Sequence, residues 1–182
     1  MTDLKFPLEE PFQGRELSVP LTLILSLLVC FTAANYLYHG VFRPLFTQKA
    51  DFEAYYNAAL AFRYRLPLYQ FMVDFFEAGP YYYQGPLPYV YPPFFAVLLS
   101  PLGYLSFHQA ALIWFILNQA LFVAGGVLTL KSISPSCSRS EALLTAFAFM
   151  NFTPLFIDLL LGQSNIILFF LIVTGLYMLR TG

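Results

Sequence analysis

Charge is scarce in this chain. Its 182 residues carry 9 Lys and Arg and 10 Asp and Glu, 10% in all, against roughly 25% in a soluble domain. Net charge is −1 and no basic tract occurs, which argues against nucleic acid as a partner. Cysteine is nearly absent. Cys30 lies in an apolar run and Cys137 in a Ser-rich loop, so the pair makes neither a disulfide framework nor a metal cluster. There is one Trp and there are two His. What fills the chain is apolar: 59% of the residues, with a mean hydropathy of +0.66. A soluble domain of this size cannot hide so much apolar surface. Disorder and collagen are excluded by the same numbers. The composition specifies an all-α, polytopic helical membrane protein. Its aromatic content is high and unevenly spread: 21 Phe and 13 Tyr, with eleven of the Tyr between Tyr36 and Tyr91.

Residues 1–18 carry Asp3, Lys5, Glu9, Glu10, Arg15 and Glu16. That is too acidic and too long a lead for a secretory signal, and the segment reads as a cytoplasmic tail. A first span follows at 19–42. The run from Leu17 to Phe42 lacks Asp, Glu, Lys and Arg, and it would reach roughly 39 Å at about 1.5 Å per residue. Its end, Asn35-Tyr36-Leu37-Tyr38-His39-Gly40, has the pattern of an aromatic interface belt. Residues 43–106 read as a large outer loop. The Pro- and Tyr-rich run from Gly79 to Pro93 cannot be a spanning helix. Interfacial helices are expected at about 50–65 and 93–105. The second is too short to cross and is interrupted by Pro101 and Gly103.

Three further spans are expected at 107–130, 142–161 and 166–180, about four in all. A cytoplasmic loop at 131–141 and an outer turn at 162–165 join them. With the N-terminus cytoplasmic, Lys131, Arg139 and Arg180 fall inside and the outer turn holds no Lys or Arg, as the positive-inside rule requires. If residues 94–105 crossed instead, Lys131 and Arg139 would fall outside. The expected setting is a multi-pass protein of the plasma membrane.

Candidate chemistry gathers on the outer side. Helix spacing puts Asp51, Tyr55 and Ala58 or Ala59 on one face, with Phe52, Tyr56 and Ala59 or Leu60 on an apolar side suited to lipid. On its own, Asp51 at a helix start can simply complement the helix dipole. Glu53 reads as a solvated face or as a contact to metal or acceptor. Asp158 is an acid inside an apolar span, which is a functional position by default; the bland reading is an acid hydrated or paired with Gln163 or Asn165 near the outer interface. Asn165 can cap the next helix, or Gln163 and Asn165 can bind sugar hydroxyls. Tyr81, Tyr82, Tyr83, Tyr89 and Tyr91 suit stacking on a sugar and interface anchoring equally. His39 and His108 fit satisfied interface positions at outer span ends. Trp114 and Asn118 suit interhelical packing and an interhelical hydrogen bond. Gly125-Gly126 suggests a close helix approach.

The order of these features carries a resemblance. The chain has a first span, an outer loop opening with Asp51 and a Tyr-rich helix, and the step Pro67-Leu68-Tyr69. It then has Tyr91-Pro92-Pro93 at the head of a helix, and the turn Gly162-Gln163-Ser164-Asn165. In that order it resembles the membrane glycosyltransferases of the C-type superfamily. It is most similar to the bacterial polyprenyl-phosphate-mannose-dependent α-mannosyltransferases, glycosyltransferase family eighty-seven. The resemblance covers Leu17 to Arg180 and corresponds to the N-terminal portion of such enzymes, which usually have eight or more spans.

The resemblance implies a transfer of mannose or another hexose from a polyprenyl-phosphate-sugar to an acceptor hydroxyl at the outer face, with inversion at the anomeric carbon. Asp51 is then the general base. Lys49, Arg63, Arg65 and His108 are candidates for the departing phosphate. Tyr55, Asp158, Gln163 and Asn165 are candidates for binding the substrates. The implied partners are the lipid-linked donor, a lipid or glycan acceptor, the bilayer, and a second chain that would supply missing spans. No cofactor is expected. One Asp-x-Glu pair is thin support for the divalent metal that some superfamily members use. Two other readings stand beside this one: a non-catalytic truncated relative, and a transporter-like membrane subunit. A transporter should show internal repeats and mid-membrane charges. No repeat is visible, and Asp158 is the one charge inside a span.

Overall fold

The computed structural model describes residues 18–47, 50–69, 87–133 and 137–181. Among them every regular element is helical. The first helix, α1, is Val19–Phe46. Its Leu23, Leu27 and Phe31 are 62%, 71% and 74% exposed, a row of bare apolar side chains that lipid must cover. The helix runs past the expected end at Phe42, and between Leu37 and Phe42 it widens into a π-helix.

The later elements are α2 (Ala50–Tyr64), α3 (Pro93–Leu99) with its 3₁₀ continuation Ser100–Tyr104, and α4 (Phe107–Ile133). Then come α5 (Arg139–Met150), α6 (Thr153–Leu161) and α7 (Asn165–Thr181). Among the described residues, α1 and α4 are each long and apolar enough to cross a membrane. The expected third span is a bent pair. α5 starts at a capping box, in which the Ser138 side chain accepts from the Glu141 N–H and the Glu141 carboxylate accepts from the Ser138 N–H. It ends at Asn151, and Pro154 in the first turn of α6 cannot continue the ladder. The two axes meet at 53°. The expected fourth span, α7, has 17 residues, the low end of the ~17–25 that cross.

α4 packs most extensively on α7. A Cβ added to Gly125 would fall 2.5 Å from Phe169 Cε1, so the two helices approach this closely because the residue is glycine. That is the close approach expected of Gly125-Gly126.

The outer-loop elements form their own core. Phe52, Tyr55, Ala58 and Ala59 of α2 are buried with Ala96 and Leu99 of α3 and Ala110 and Trp114 of α4. This corrects the expectation that Phe52 faces lipid. Its ring is fully buried, 5.9 Å from that of Phe107 and 5.6 Å from that of Trp114. Helix spacing separates one face of α2 from another, but it does not tell a lipid-facing side from one covered by α3 and α4. Tyr56, on the same side, donates its hydroxyl to the Leu105 carbonyl at 2.7 Å.

Candidate functional site

The Gly162–Asn165 turn is fastened from three sides. Gly162 has φ of 74°, the left-handed conformation that ends a helix without strain only for glycine. The Gln163 N–H closes the motif onto the Asp158 carbonyl at 2.9 Å. From the third turn of α4, the buried Trp114 indole N–H donates to the Gly162 carbonyl at 2.8 Å. From α2, the Tyr55 hydroxyl lies 3.3 Å from Ser164 Oγ.

Tyr55 is the knot of a wider network. Its hydroxyl is also 2.8 Å from that of Tyr91, and Tyr69 donates to the Tyr91 carbonyl at 2.8 Å. Burial pushes the Tyr55 phenol well above its usual range, with neighbouring Tyr91 and Asp51 adding to the effect. Burial also raises Tyr89 to about 12; its hydroxyl donates to the Pro92 carbonyl at 2.9 Å. Tyr69, Tyr89 and Tyr91 are therefore built into the loop's interior and hold α2 and α3 together. Tyr81, Tyr82 and Tyr83 lie outside the described residues.

Asp51 sits half-buried in the first turn of α2, one turn before Tyr55. It is close enough to Tyr55 and to Asp158 for its charge to act on both. The helix that Asp51 opens is set against the turn beside Asp158 by the Tyr55–Ser164 contact. Asp158 Oδ1 accepts from Asn165 Nδ2 at 3.1 Å, and the same nitrogen donates to Gln163 Oε1 at 2.8 Å. The carboxylate can only accept, so the Asn165 amide must turn its NH₂ toward it. Asn165 is the first residue of α7, and its amide serves Asp158 and Gln163 instead of capping that helix. Its own oxygen is left as an acceptor.

Asp158 and Asn165 also form the polar end of a cleft of about 440 Å³. The other walls include Phe122, Phe149, Phe152 and Phe169, and no basic side chain lines it among the described residues. Its walls are apolar, with the side-chain oxygens of Asp158 and Asn165 among them as acceptors.

The expected site residues therefore divide. Asp158, Gln163 and Asn165 are bonded together, and Tyr55, one turn along α2 from Asp51, reaches their turn through Ser164. Arg63 and Arg65 do not join them, because 12 and 14 positions along α2 from Asp51 correspond to about 18 and 21 Å. Arg63 donates to the Gly103 carbonyl at 2.6 Å and lies 4.2 Å over the Tyr104 ring. Arg65 is exposed and follows the last turn of α2. His108 lines a separate cleft of about 580 Å³ with Thr47 and Phe115. Lys49 lies outside the described residues. Among those described, no three His, Cys, Asp or Glu side chains gather.

Two residues at the turn were given no part in the site. Ser164 stands inside the Gly162–Asn165 motif, which was its signal. Of the packing and interhelical bond expected of Trp114 and Asn118, Trp114 supplies the bond, and it reaches the turn itself. Asn118 was expected to bond between helices. It donates to the Trp114 carbonyl of its own helix at 2.9 Å, and its buried Oδ1 has no partner among the described residues.

A family model described as glycosyltransferase family 87 matches residues 89–182. The match takes in Tyr91, α3 to α7 and the Gly162–Asn165 turn, and it begins after α2. No curated protein and no solved structure matches the chain.

Proposed function

We propose that this chain, which belongs to glycosyltransferase family 87 and has apolar helices long enough to cross a membrane, transfers a hexosyl residue, mannose or a close relative, from a polyprenyl-phosphate-sugar to an acceptor hydroxyl at the outer membrane face. The observation that supports this best is the Tyr55–Ser164 contact, which sets the helix opened by Asp51 against the turn where Asn165 bridges Asp158 and Gln163. It joins a helix of the outer loop to hydrogen-bonding groups at the end of α6.

In this reading the Asp51 carboxylate takes the proton of the acceptor hydroxyl as that oxygen bonds to the anomeric carbon. The bond from that carbon to the phosphate oxygen breaks, and its electron pair leaves on the lipid phosphate. Attack opposite the leaving group inverts the configuration. Gln163, Asn165 and Asp158 hold sugar or acceptor hydroxyls. Tyr55 keeps α2 in register with the turn, and its neutral phenol competes for no proton.

The test is sugar transfer from a polyprenyl-phosphate-mannose in membranes containing the full chain. Asp51→Asn should reduce transfer roughly 10²–10⁴-fold while the protein remains folded. Undiminished transfer by that variant would overturn the role of Asp51. No transfer by the native chain would favour the non-catalytic reading.

A further inference from the structure

α6 has two working faces. Leu155, Asp158 and Leu159 turn one way. Thr153, Phe156, Ile157 and Leu160, at i, i+3, i+4 and i+7, form the other, and they meet α1 across a cleft of about 340 Å³. The α1 side of that cleft is Asn35, His39 and Arg43.

These three residues are spaced by four. In an unbroken α-helix each such step drifts about 40° around the axis. The π-helical segment Leu37–Phe42 lies between Asn35 and Arg43, and its i→i+5 bonding takes up that drift. The widening is fastened from outside: Gln119 of α4 donates to the Gly40 carbonyl at 2.7 Å, and the Tyr36 hydroxyl donates to the Gln119 side-chain oxygen. The π turn is therefore held in place, and its effect is to aim His39 and Arg43 into one cleft.

The cleft is donor-rich on one side and apolar on the other. The Arg43 guanidinium is exposed and makes no hydrogen bond or ion pair among the described residues. His39 packs its ring on Phe156 at 5.9 Å. A guanidinium fork and an imidazole beside an aromatic and aliphatic wall suit a phosphate carried on an apolar chain.

We propose that Arg43 and His39 hold the phosphate of the polyprenyl-phosphate donor, with its first isoprene units against Phe156 and Leu160. This rests on the transfer proposed above and assigns its leaving-group site. The two residues meet the negative charge that collects on the phosphate oxygen as the bond to the anomeric carbon breaks. The phosphate then lies against one face of α6, and Asp158 points from another.

Binding tests this without any transfer. The purified full chain in neutral detergent is titrated with undecaprenyl phosphate, with undecaprenol, and with phosphatidylglycerol as competitor. Undecaprenyl phosphate should bind at least tenfold more tightly than undecaprenol. Arg43→Gln should erase that preference and leave undecaprenol binding unchanged; Arg43→Lys should restore part of it, and His39→Gln should weaken it. Phosphatidylglycerol at equal concentration should not compete. Equal binding of the phosphate and the alcohol, or an unaltered preference in folded Arg43→Gln and His39→Gln, would overturn the proposal. Full competition by phosphatidylglycerol would also overturn it, identifying an ordinary headgroup contact. These outcomes stand apart from the Asp51 assay: a chain that binds the phosphate and transfers nothing fails the functional reading and keeps this site.

Discussion

The indole N–H of Trp114 reaches 2.8 Å to the carbonyl of Gly162, from the third turn of α4 to the turn between α6 and α7. Both groups are buried, so removing the donor leaves a buried carbonyl without its partner. Trp114→Phe keeps an aromatic body but strands the Gly162 carbonyl. It should destabilise the protein by about 1–3 kcal/mol, read as a lowered thermal midpoint in detergent. Transfer should fall more steeply than stability, because the turn carries Gln163 and Asn165.

Tyr55 ties α2 to that same turn. Tyr55→Phe keeps the ring contacts with Trp114, Tyr91 and Phe95 and removes only the hydroxyl shared by Ser164 and Tyr91. The expected loss of stability is about 0.5–1.5 kcal/mol. If the hydroxyl holds Asp51 in register, kcat should fall several-fold with KM little changed. Asp51→Asn,Tyr55→Phe together should then cost no more kcat than Asp51→Asn alone, a non-additivity that separate roles would not give.

Much of this was legible from sequence, for physical reasons. An uncharged apolar run of span length has few fates other than a membrane helix, so α1 and α4 were evident. The Gly162–Asn165 turn was evident because a glycine among polar residues interrupts an apolar pattern. What stayed hidden needed a second element. Phe52 is buried because α3 and α4 happen to cover it, and periodicity on α2 contains nothing about them. The π turn at Leu37–Phe42 leaves no mark in composition; it follows from Gln119, 79 positions beyond Gly40. Residues from 43 on read as loop because charge returns there, whereas α1 continues through Arg43 to Phe46.

The buried phenols set an alkaline limit. Tyr89 titrates at about 12 when folded, because burial penalises its phenolate; an unfolded chain ionises tyrosine near 10. The stability linked to this group is complete below pH 10 and is lost between about 10 and 12, as the unfolded state gives up its proton first. Tyr55 shifts in the same direction. The thermal midpoint should therefore hold level up to about pH 9.5 and drop beyond it. Tyr89→Phe should show a shallower drop over that interval, even though losing the hydrogen bond to Pro92 lowers its midpoint at neutral pH.

Arg65 separates a functional from a structural cation. It follows α2 with φ of 55°, and the Leu66 N–H closes onto the Ala61 carbonyl at 2.8 Å, the closing bond of a helix terminus that favours glycine at the residue before it. A non-glycine residue in that conformation costs about 1 kcal/mol. Arg65→Gly should therefore raise the thermal midpoint, by roughly 0.5–1 kcal/mol of added stability. If phosphate is held by Arg43 and His39, the same variant should leave the KM for the polyprenyl-phosphate donor unchanged. A tenfold rise in that KM, with stability gained, would return Arg65 to the donor site and count against a phosphate cradle at α1.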